Sequence, residues 1–286
     1  MPEMPEVESL VRFLRPVCVG RTIARVDLVA FSALKTYDPP LTALSGLEID
    51  GVERHGKFID IGAQGLHLVF HLARAGWLRW KDEVSDKPPP RKGPLALRFR
   101  LDDGSGFELT EAGTQRKLAV HVTADPSSIP HVATLGPDPL SDAFDAEVFA
   151  DLLQRAGRSQ LKGVLRDQKI IAGIGNAYSD EILHVARLSP FKGANTLTDE
   201  ERDRLFTAIK EELAGAIERA EGLAAKDLKG EKKAGLRVHG RKGETCPVCG
   251  DTIAEVSFHD SSLQYCPTCQ TGGKKLADRR LSKLLK

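Results

Sequence analysis

The chain has 286 residues, of which 41% are hydrophobic and 28% are charged, with a net charge of +1. This length is enough to bury a core and predicts about two domains of ordinary soluble composition. No apolar run is long enough to cross a bilayer, and glutamates occupy the place of a signal peptide's basic stretch. We therefore expect a cytoplasmic protein without membrane partners.

The positive charge is concentrated at the C-terminal end. Residues 226–286 carry 13 Lys and Arg against seven Asp and Glu, whereas residues 1–225 carry 28 against 33. Such a basic segment attracts phosphates through counterion release. For the last basic residues alone, a solvated tail is the favoured alternative; they are Lys274, Lys275, Arg279, Arg280, Lys283 and Lys286.

The first 135 residues are predicted to form an all-β domain with one helix, at 6–15. Segments rich in β-branched or alternating residues follow this helix. The predicted strands are 22–29, 47–52, 58–61, 66–72, 95–101, 107–109 and 118–122. A loop is predicted at 81–93, which contains three consecutive prolines.

Near residue 136 the pattern changes to helical periodicity, so we place a domain boundary there. Helices are predicted at 147–154, 161–166, 177–186 and 198–220. Thr198 and Glu201 form a capping box at the start of the last helix. The predicted domains are 1–135, 136–237 and 238–270, followed by a basic tail at 271–286.

The first residues contain a candidate catalytic pair. If Met1 is removed, Pro2 presents a secondary α-amine, whose pKa near ~8 leaves part of it nucleophilic at neutral pH. Attack on a sugar C1′ forms an iminium ion that permits elimination, and the neighbouring Glu3 can move the protons. The alternative is an ordinary helix start, with Pro5 and Glu6 in the first turn.

Four cysteines predict a structural zinc site. They form two CxxC pairs separated by 16 residues, Cys246-Pro-Val-Cys249 and Cys266-Pro-Thr-Cys269. This spacing is typical of a four-thiolate zinc ribbon, with strands at 252–258 and 263–265. A redox pair is the alternative, but no βαβ pattern accompanies the cysteines. Cys18 is left over and is interpreted as an inert buried thiol.

A glycine-rich turn, Gly173-Ile174-Gly175-Asn176, lies between two predicted helices. Its backbone amides and the Asn176 side chain can bind a phosphate at the start of the next helix. Taken alone, the turn is better interpreted as a tight connection between helices.

These motifs occur in order over nearly the whole chain. They are Pro2-Glu3 with Glu6, 135–140, Lys162 before Asp167-Gln168, 173–176 with Tyr178 and Glu181, 238–243 and the cysteine ribbon. Together they resemble the formamidopyrimidine-DNA glycosylase and endonuclease VIII family. The resemblance implies an α+β fold: an N-terminal β-sandwich with an N-terminal helix, a helix–two-turn–helix domain and a C-terminal zinc ribbon with one structural Zn2+.

The same resemblance implies a base-excision repair DNA glycosylase with AP lyase (β,δ-elimination) activity. Its partner would be double-stranded DNA in which a damaged or abasic nucleotide is flipped out, and we expect a monomer. Pro2 would be the Schiff-base nucleophile and Glu3 the proton shuttle. Lys57 would be a catalytic hairpin lysine, although alone it is an ordinary exposed one; Lys162 and Asn176 would contact phosphates.

The alternative function is a non-catalytic zinc-ribbon protein that binds damaged or abasic DNA. Retention of Met1 would force this alternative, because the Pro2 nitrogen would then be an amide.

Three departures from the family pattern affect the expected DNA contacts. The ribbon turn has Ser261 in place of a phosphate-binding arginine, a loss that the basic tail would compensate. Where many members have His-Leu-Gly-Met as the first element that fills the DNA gap, this chain has His71-Leu72-Ala73-Arg74. In Gln115-Arg116-Lys117-Leu118 we expect Arg116 to face the orphaned base and Leu118 to act as an apolar wedge, the alternative for Leu118 being a core strand residue.

A fourth departure concerns the substrate. Only nine residues, 229–237, are available where 8-oxoguanine-specific members use a longer capping loop. The short stretch favours oxidised pyrimidines or abasic sites as substrates.

Overall fold

The computed structural model describes residues 1–90, 92–259 and 261–277, which form two compact units. The first unit combines Met1–Leu135 with Arg219–Glu231, and the second combines Gly136–Glu218 with the described residues from Lys232 onward. Asp260 of the expected ribbon turn and residues 278–286 of the basic tail lie outside the described residues.

The first unit begins with helix α1, Met4–Cys18. Pro5 suits its first turn because the missing N–H has no partner to lose there. Apolar residues three or four positions apart give the helix one buried face; they are Val7, Leu10, Val11, Leu14 and Cys18. Cys18 is fully buried, as predicted, and burial with the negative charge of Asp103 raises the pKa of its thiol to about 12.

Eight strands form a β-sandwich of two four-stranded antiparallel sheets. The strands are β1 (Ile23–Leu28), β2 (Gly51–His55), β3 (Phe58–Ala63), β4 (Leu66–His71), β5 (Gly76–Lys81), β6 (Leu95–Leu101), β7 (Gly106–Glu111) and β8 (Ala119–Thr123). One sheet has the order β1-β6-β7-β5 and the other has the order β2-β3-β4-β8. In the core between the two sheets, Phe107 contacts both Phe70 and Phe99.

The outer face of the β2-β3-β4-β8 sheet is partly covered by helix α2, Pro130–Ala133. Phe58, Val69 and Ile129 pack there with Val132. From Phe58 onward, successive side chains of β3 point to opposite faces of the sheet, as they do in any pleated strand.

The second unit is mainly helical. Its elements are α3 (Ala146–Ala156), α4 (Leu161–Arg166), α5 (Asn176–Val185), α6 (Asp199–Arg219), α7 (Leu228–Gly235), β9 (Ala254–Ser257), β10 (Ser262–Tyr265) and α8 (Pro267–Thr271), of which α6 and α7 extend into segments of the first unit. Reciprocal hydrogen bonds of 3.0 and 3.3 Å between Thr198 and Glu201 confirm the predicted capping box. The pair β9 and β10 forms the hairpin of the ribbon.

The predicted α+β fold is therefore confirmed, with a sandwich in one unit and helices with a cysteine ribbon in the other. Among the described residues, no helix combines the length and apolar character needed to cross a membrane.

Candidate active site and DNA-binding residues

Pro2 and Glu3 are both buried immediately before α1, while Met1 is half exposed. Glu3 is the N-cap, and its backbone N–H donates to Oε2 of Glu6 at 2.7 Å. The Glu3 side chain accepts the Glu6 backbone N–H in return, which completes a capping box. The helix-start interpretation is thus correct, and the cap fixes the position of the Glu3 carboxylate. Catalysis by Pro2 and Glu3 stays a prediction.

Two contacts orient α1 against β2. Near the start of the helix, Oε2 of Glu8 pairs with Nε of Arg54 at 2.8 Å; two turns later, Arg15 donates to the carbonyl oxygen of Val52 at 2.9 Å. The N-terminal end of α1 therefore lies at the end of β2 that leads into the β2–β3 turn. Arg54 also donates to the Gly56 carbonyl in that turn, at 3.1 Å.

Lys57 occupies the β2–β3 turn, between strands as the sequence predicts, but it is buried with only 8% of its surface exposed. It is therefore not an ordinary exposed hairpin lysine. Burial, together with the positive charges of Lys57 and His131, lowers the pKa of His71 to about 4. His71 is consequently neutral at pH 7, and its Nδ1 accepts the backbone N–H of Ala73 at 3.1 Å.

Arg74 and Arg116 are exposed on two loops that lie side by side. Ala112, in the loop after β7, donates its N–H to the carbonyl of Ala75, in the turn between β4 and β5. Both loops are at the sandwich end that holds the β2–β3 turn, because antiparallel pairing places the end of β4 beside the starts of β3 and β8. The structure thus brings Lys57, Arg74 and Arg116 to one end of the sandwich.

Glu111 shapes the loop that carries Arg116, a role that sequence reasoning missed. This carboxylate is 5% exposed and accepts the backbone N–H groups of Lys117 at 2.7 Å and Leu118 at 3.0 Å. The loop is therefore fixed at its return into β8. To predict the contact of Glu111 with the Lys117 and Leu118 backbone, one would need both the pairing of β7 and the length of the loop after it.

Leu118 lacks the exposed position that the predicted apolar wedge would require. Its side chain is 1% exposed and belongs to the hydrophobic core of the sandwich. Its Cδ1 lies beside Gly76, where an added Cβ would be 3.1 Å from this methyl group and would clash with the Leu72 carbonyl oxygen. The alternative interpretation, a core residue next to a strand, is correct.

The surroundings of Lys162 differ from those expected of a phosphate contact, which stays an untested prediction. Lys162 is 5% exposed, and its Nζ donates to Oδ1 of Asp180 at 2.6 Å and to the Asn176 carbonyl at 2.7 Å. The other Asp180 oxygen lies 2.7 Å from Nδ1 of His239. An ammonium group enclosed in this way neutralises a buried carboxylate and is not presented to solvent.

Asn176 begins α5 directly after the glycine-rich turn. Its Nδ2 donates to the carbonyl of Ser262 at 2.8 Å, and no hydrogen-bond partner for its Oδ1 is present in the part of the chain that the structure describes. Gln168 shapes the turn by accepting the Gly173 N–H and donating to the Ile174 carbonyl. Contact of Asn176 with a phosphate remains a prediction.

Glu181 joins α5 to the start of the ribbon. Its carboxylate accepts the backbone N–H groups of Arg237, Val238 and His239 at 2.7 to 3.0 Å. A buried carboxylate with several N–H donors is well satisfied. Through these contacts Glu181 fixes the backbone at the start of the 238–243 motif.

The sulfur atoms of the four predicted zinc ligands, Cys246, Cys249, Cys266 and Cys269, lie within 4.8 Å of one another. The separations Cys249–Cys266 and Cys246–Cys269 are 3.3 and 3.9 Å. A tetrahedral zinc ion with 2.3 Å bonds places its sulfurs about 3.8 Å apart, so the cluster fits one structural zinc ion. Nε2 of His184 lies 3.3 Å from the Cys246 sulfur, a hydrogen-bond contact that orients this predicted ligand.

Most of the short stretch 229–237 belongs to helix α7. Nζ of Lys229 lies 4.4 Å from the centre of the Trp77 ring, a cation–π contact. Nε1 of Trp77 donates to the Ala225 carbonyl at 3.2 Å, which anchors the segment before α7. The stretch is thus a short, packed helix.

Three family models match successive parts of the chain. They are the formamidopyrimidine-DNA glycosylase N-terminal domain at 1–119, the formamidopyrimidine-DNA glycosylase H2TH domain at 135–227 and the zinc finger found in FPG and IleRS at 243–272. A formamidopyrimidine-DNA glycosylase from Symbiobacterium thermophilum is 37% identical, over 98% of this chain and 93% of the relative. An uncharacterized formamidopyrimidine-DNA glycosylase-like protein from Mycobacterium tuberculosis is 56% identical over 55% of this chain and 98% of its own length.

Solved structures of formamidopyrimidine-DNA glycosylases are also similar in fold to this chain. The crystal structure of the MutM (Fpg) protein from Thermus thermophilus has a TM-score of 0.79 at 32% identity, covering 96% of this chain and 100% of that one. The Lactococcus lactis formamidopyrimidine-DNA glycosylase, non-covalently bound to DNA containing an abasic site, has a TM-score of 0.81 at 27% identity, with 94% and 99% covered.

Proposed function

The chain belongs to the formamidopyrimidine-DNA glycosylase family, and we propose that it excises damaged bases from double-stranded DNA and cleaves the abasic site that remains. The observation that carries the proposal is the convergence of the Pro2-Glu3 end of α1 with the Lys57 turn at one end of the sandwich. Relatives bound to abasic-site DNA and to DNA containing 8-oxoguanine support damaged DNA as the partner.

Pro2 is the nucleophile in this proposal, once Met1 has been removed. Its secondary amine displaces the base at C1′, Glu3 donates and accepts the protons, and the opened sugar is held as an iminium ion. The iminium withdraws electrons, so loss of a C2′ proton expels the 3′ phosphate. A second elimination expels the 5′ phosphate, and water then releases the sugar remnant from the nitrogen.

Positively charged and polar side chains around this end hold the DNA. Lys57 supports the sugar and its 3′ phosphate, where a cation stabilises the leaving group. Arg74 and Arg116 occupy the gap left by the flipped nucleotide, with Arg116 facing the orphaned base. In the second unit, Asn176 donates to a phosphate at the N-terminal end of α5.

The segment 229–237 supports a preference within the family. A short helix packed on Trp77 through Lys229 leaves few residues to fold over a flipped 8-oxopurine. We therefore propose that oxidised pyrimidines or abasic sites are cleaved in preference to 8-oxoguanine.

A panel of duplexes, each with one abasic site, one oxidised pyrimidine or one 8-oxoguanine, tests the proposal. We expect cleavage of abasic DNA that leaves phosphate on both ends, and faster excision of the pyrimidine lesion than of 8-oxoguanine. Tight binding of these duplexes without cleavage of any would instead identify a non-catalytic damage-binding protein. Faster excision of 8-oxoguanine would overturn the preference alone.

A further inference from the structure

The outer face of the β2-β3-β4-β8 sheet carries a cluster of acidic and imidazole side chains outside the site described above. Asp60 on β3 is directly opposite Glu53 on the edge strand β2. Its neighbours Ile59 and Ile61 belong to the sandwich core, so Asp60 faces outward. His55, two residues after Glu53, lies on the same face.

Asp60 is 3% exposed and is held by two imidazoles. Nε2 of His55 lies 2.9 Å from Oδ2, and Nδ1 of His67 lies 2.9 Å from Oδ1. The donor atoms of Glu53, His55 and Asp60 all lie within 4.8 Å of one another. One imidazole nitrogen and two carboxylates at this separation match a three-ligand metal site with open positions for water.

Glu53 distinguishes this arrangement from a simple hydrogen-bonded network. The two histidines already satisfy Asp60, so the network needs no second carboxylate. Like charges directly opposite on paired strands destabilise a sheet. A cation between Glu53 and Asp60 would convert that repulsion into attraction.

We propose that Glu53, His55 and Asp60 bind a divalent transition metal, with Zn2+ as the ion that best fits one nitrogen and two oxygen ligands. His67 is the positioning residue, because its Nδ1–H fixes the Asp60 oxygen opposite the metal. Glu53 is exposed, so the ion exchanges with solvent more readily than a thiolate-bound zinc. The ligands of this site flank Lys57 in the sequence, from four residues before it to three residues after it, and the site is independent of the four cysteines.

Co2+ titration of the full-length protein, after dialysis against a weak chelator that leaves the ribbon zinc in place, tests this site. We expect one further equivalent of Co2+ with a weak d–d spectrum and no thiolate charge-transfer band, displaced by Zn2+. Glu53→Gln, a change at an exposed position, should weaken this binding at least about tenfold. His67→Ala should weaken it by about 10- to 100-fold, the effect typical of residues that orient metal ligands.

His121→Ala is the matched control. His121 pairs with Val69 on the same outer face but is outside the cluster, so this variant should bind Co2+ like the parent. Thermal unfolding without added metal verifies that each variant is folded. The proposal is overturned if the parent binds no additional Co2+, if Glu53→Gln binds it as tightly as the parent, or if His121→Ala loses it equally.

Discussion

Glu3 has a structural role and a proposed catalytic role, and the two need different chemical properties of its side chain. As the N-cap of α1 it accepts the backbone N–H of Glu6, which requires only a side-chain oxygen. As the proposed proton shuttle it must gain and lose a proton. Glutamine keeps the oxygen and cannot transfer the proton, so a single substitution distinguishes these tasks.

In Glu3→Gln we expect unchanged thermal stability and a loss of base excision of about 10²- to 10⁴-fold, the usual contribution of general acid–base catalysis. Cleavage of a preformed abasic site should fall much less, because other bases can remove the C2′ proton. Single-turnover rates on lesion and abasic duplexes measure both effects. Equal losses in the two assays would contradict this division.

Lys162→Met should destabilise the second unit by about 3 to 5 kcal/mol, since it leaves Asp180 buried without its cation. Lys169→Met, at an exposed position nearby, should leave stability unchanged. Urea unfolding measures both. A phosphate-binding lysine would behave differently, with little change in stability and a salt slope of DNA binding smaller by about 0.9.

Residue identity alone predicted the cysteine cluster but not the environments of Lys162 and Leu118. A motif gives the order of residues along the chain, whereas a side chain's access to DNA depends on what packs over it. Lys162 is enclosed by Asp180, and Leu118 by the sandwich core. The residues that enclose Lys162 and Leu118 are distant from them in the sequence. The spacing of the motif residues therefore could not reveal these environments.

At the scale of elements, periodicity predicted β6 and α4 with their observed bounds. It missed β5, Gly76–Lys81, because this strand starts with a glycine and its side chains do not alternate in hydrophobicity. It also missed α7, whose apolar content is low and whose position depends on the contact of Lys229 with Trp77. Tertiary contacts determine both elements.

The pair of Glu8 and Arg54 connects α1 to β2, and its contribution depends on pH. Burial raises the pKa of Glu8, but hydrogen bonds and charges from Arg54 and Arg12 hold it below its ordinary value of 4.5. A carboxylate with a depressed folded-state pKa stabilises the protein above its unfolded-state pKa, and this stabilisation disappears as pH falls through the folded-state pKa.

Glu8→Gln should therefore lower the free energy of unfolding by about 1.5 to 3 kcal/mol at pH 7, the range for a hydrogen bond to a charged group. The difference from the parent should disappear as the pH is lowered well below 4.5. Glu83→Gln, at an exposed position, serves as control. A difference that stays constant between pH 7 and pH 3 would contradict the ion-pair explanation.

For the whole molecule, the two units have separate cores, and the two tryptophans of the chain, Trp77 and Trp80, both lie in β5 of the first unit. Tryptophan fluorescence therefore reports on the sandwich alone. The ribbon depends on its metal, because a small cysteine cluster gains most of its folding free energy from zinc binding.

Cys266→Ser should remove one tightly bound, thiolate-coordinated zinc ion per chain and weaken DNA binding. The fluorescence-detected unfolding of the sandwich should stay unchanged, since that unit keeps its own core. Metal analysis, a binding titration and thermal unfolding provide the three readouts. A parent protein that contains no thiolate-bound zinc, or a shifted fluorescence transition in the variant, would refute this description.

Borohydride trapping on abasic-site DNA identifies the residue that forms the Schiff base. We predict a covalent complex in which the DNA remnant is attached to the peptide that begins at Pro2, and no trapping when one residue is added before Pro2. Trapping that survives this addition, or a remnant mapped to Lys57, would exclude Pro2 as the nucleophile.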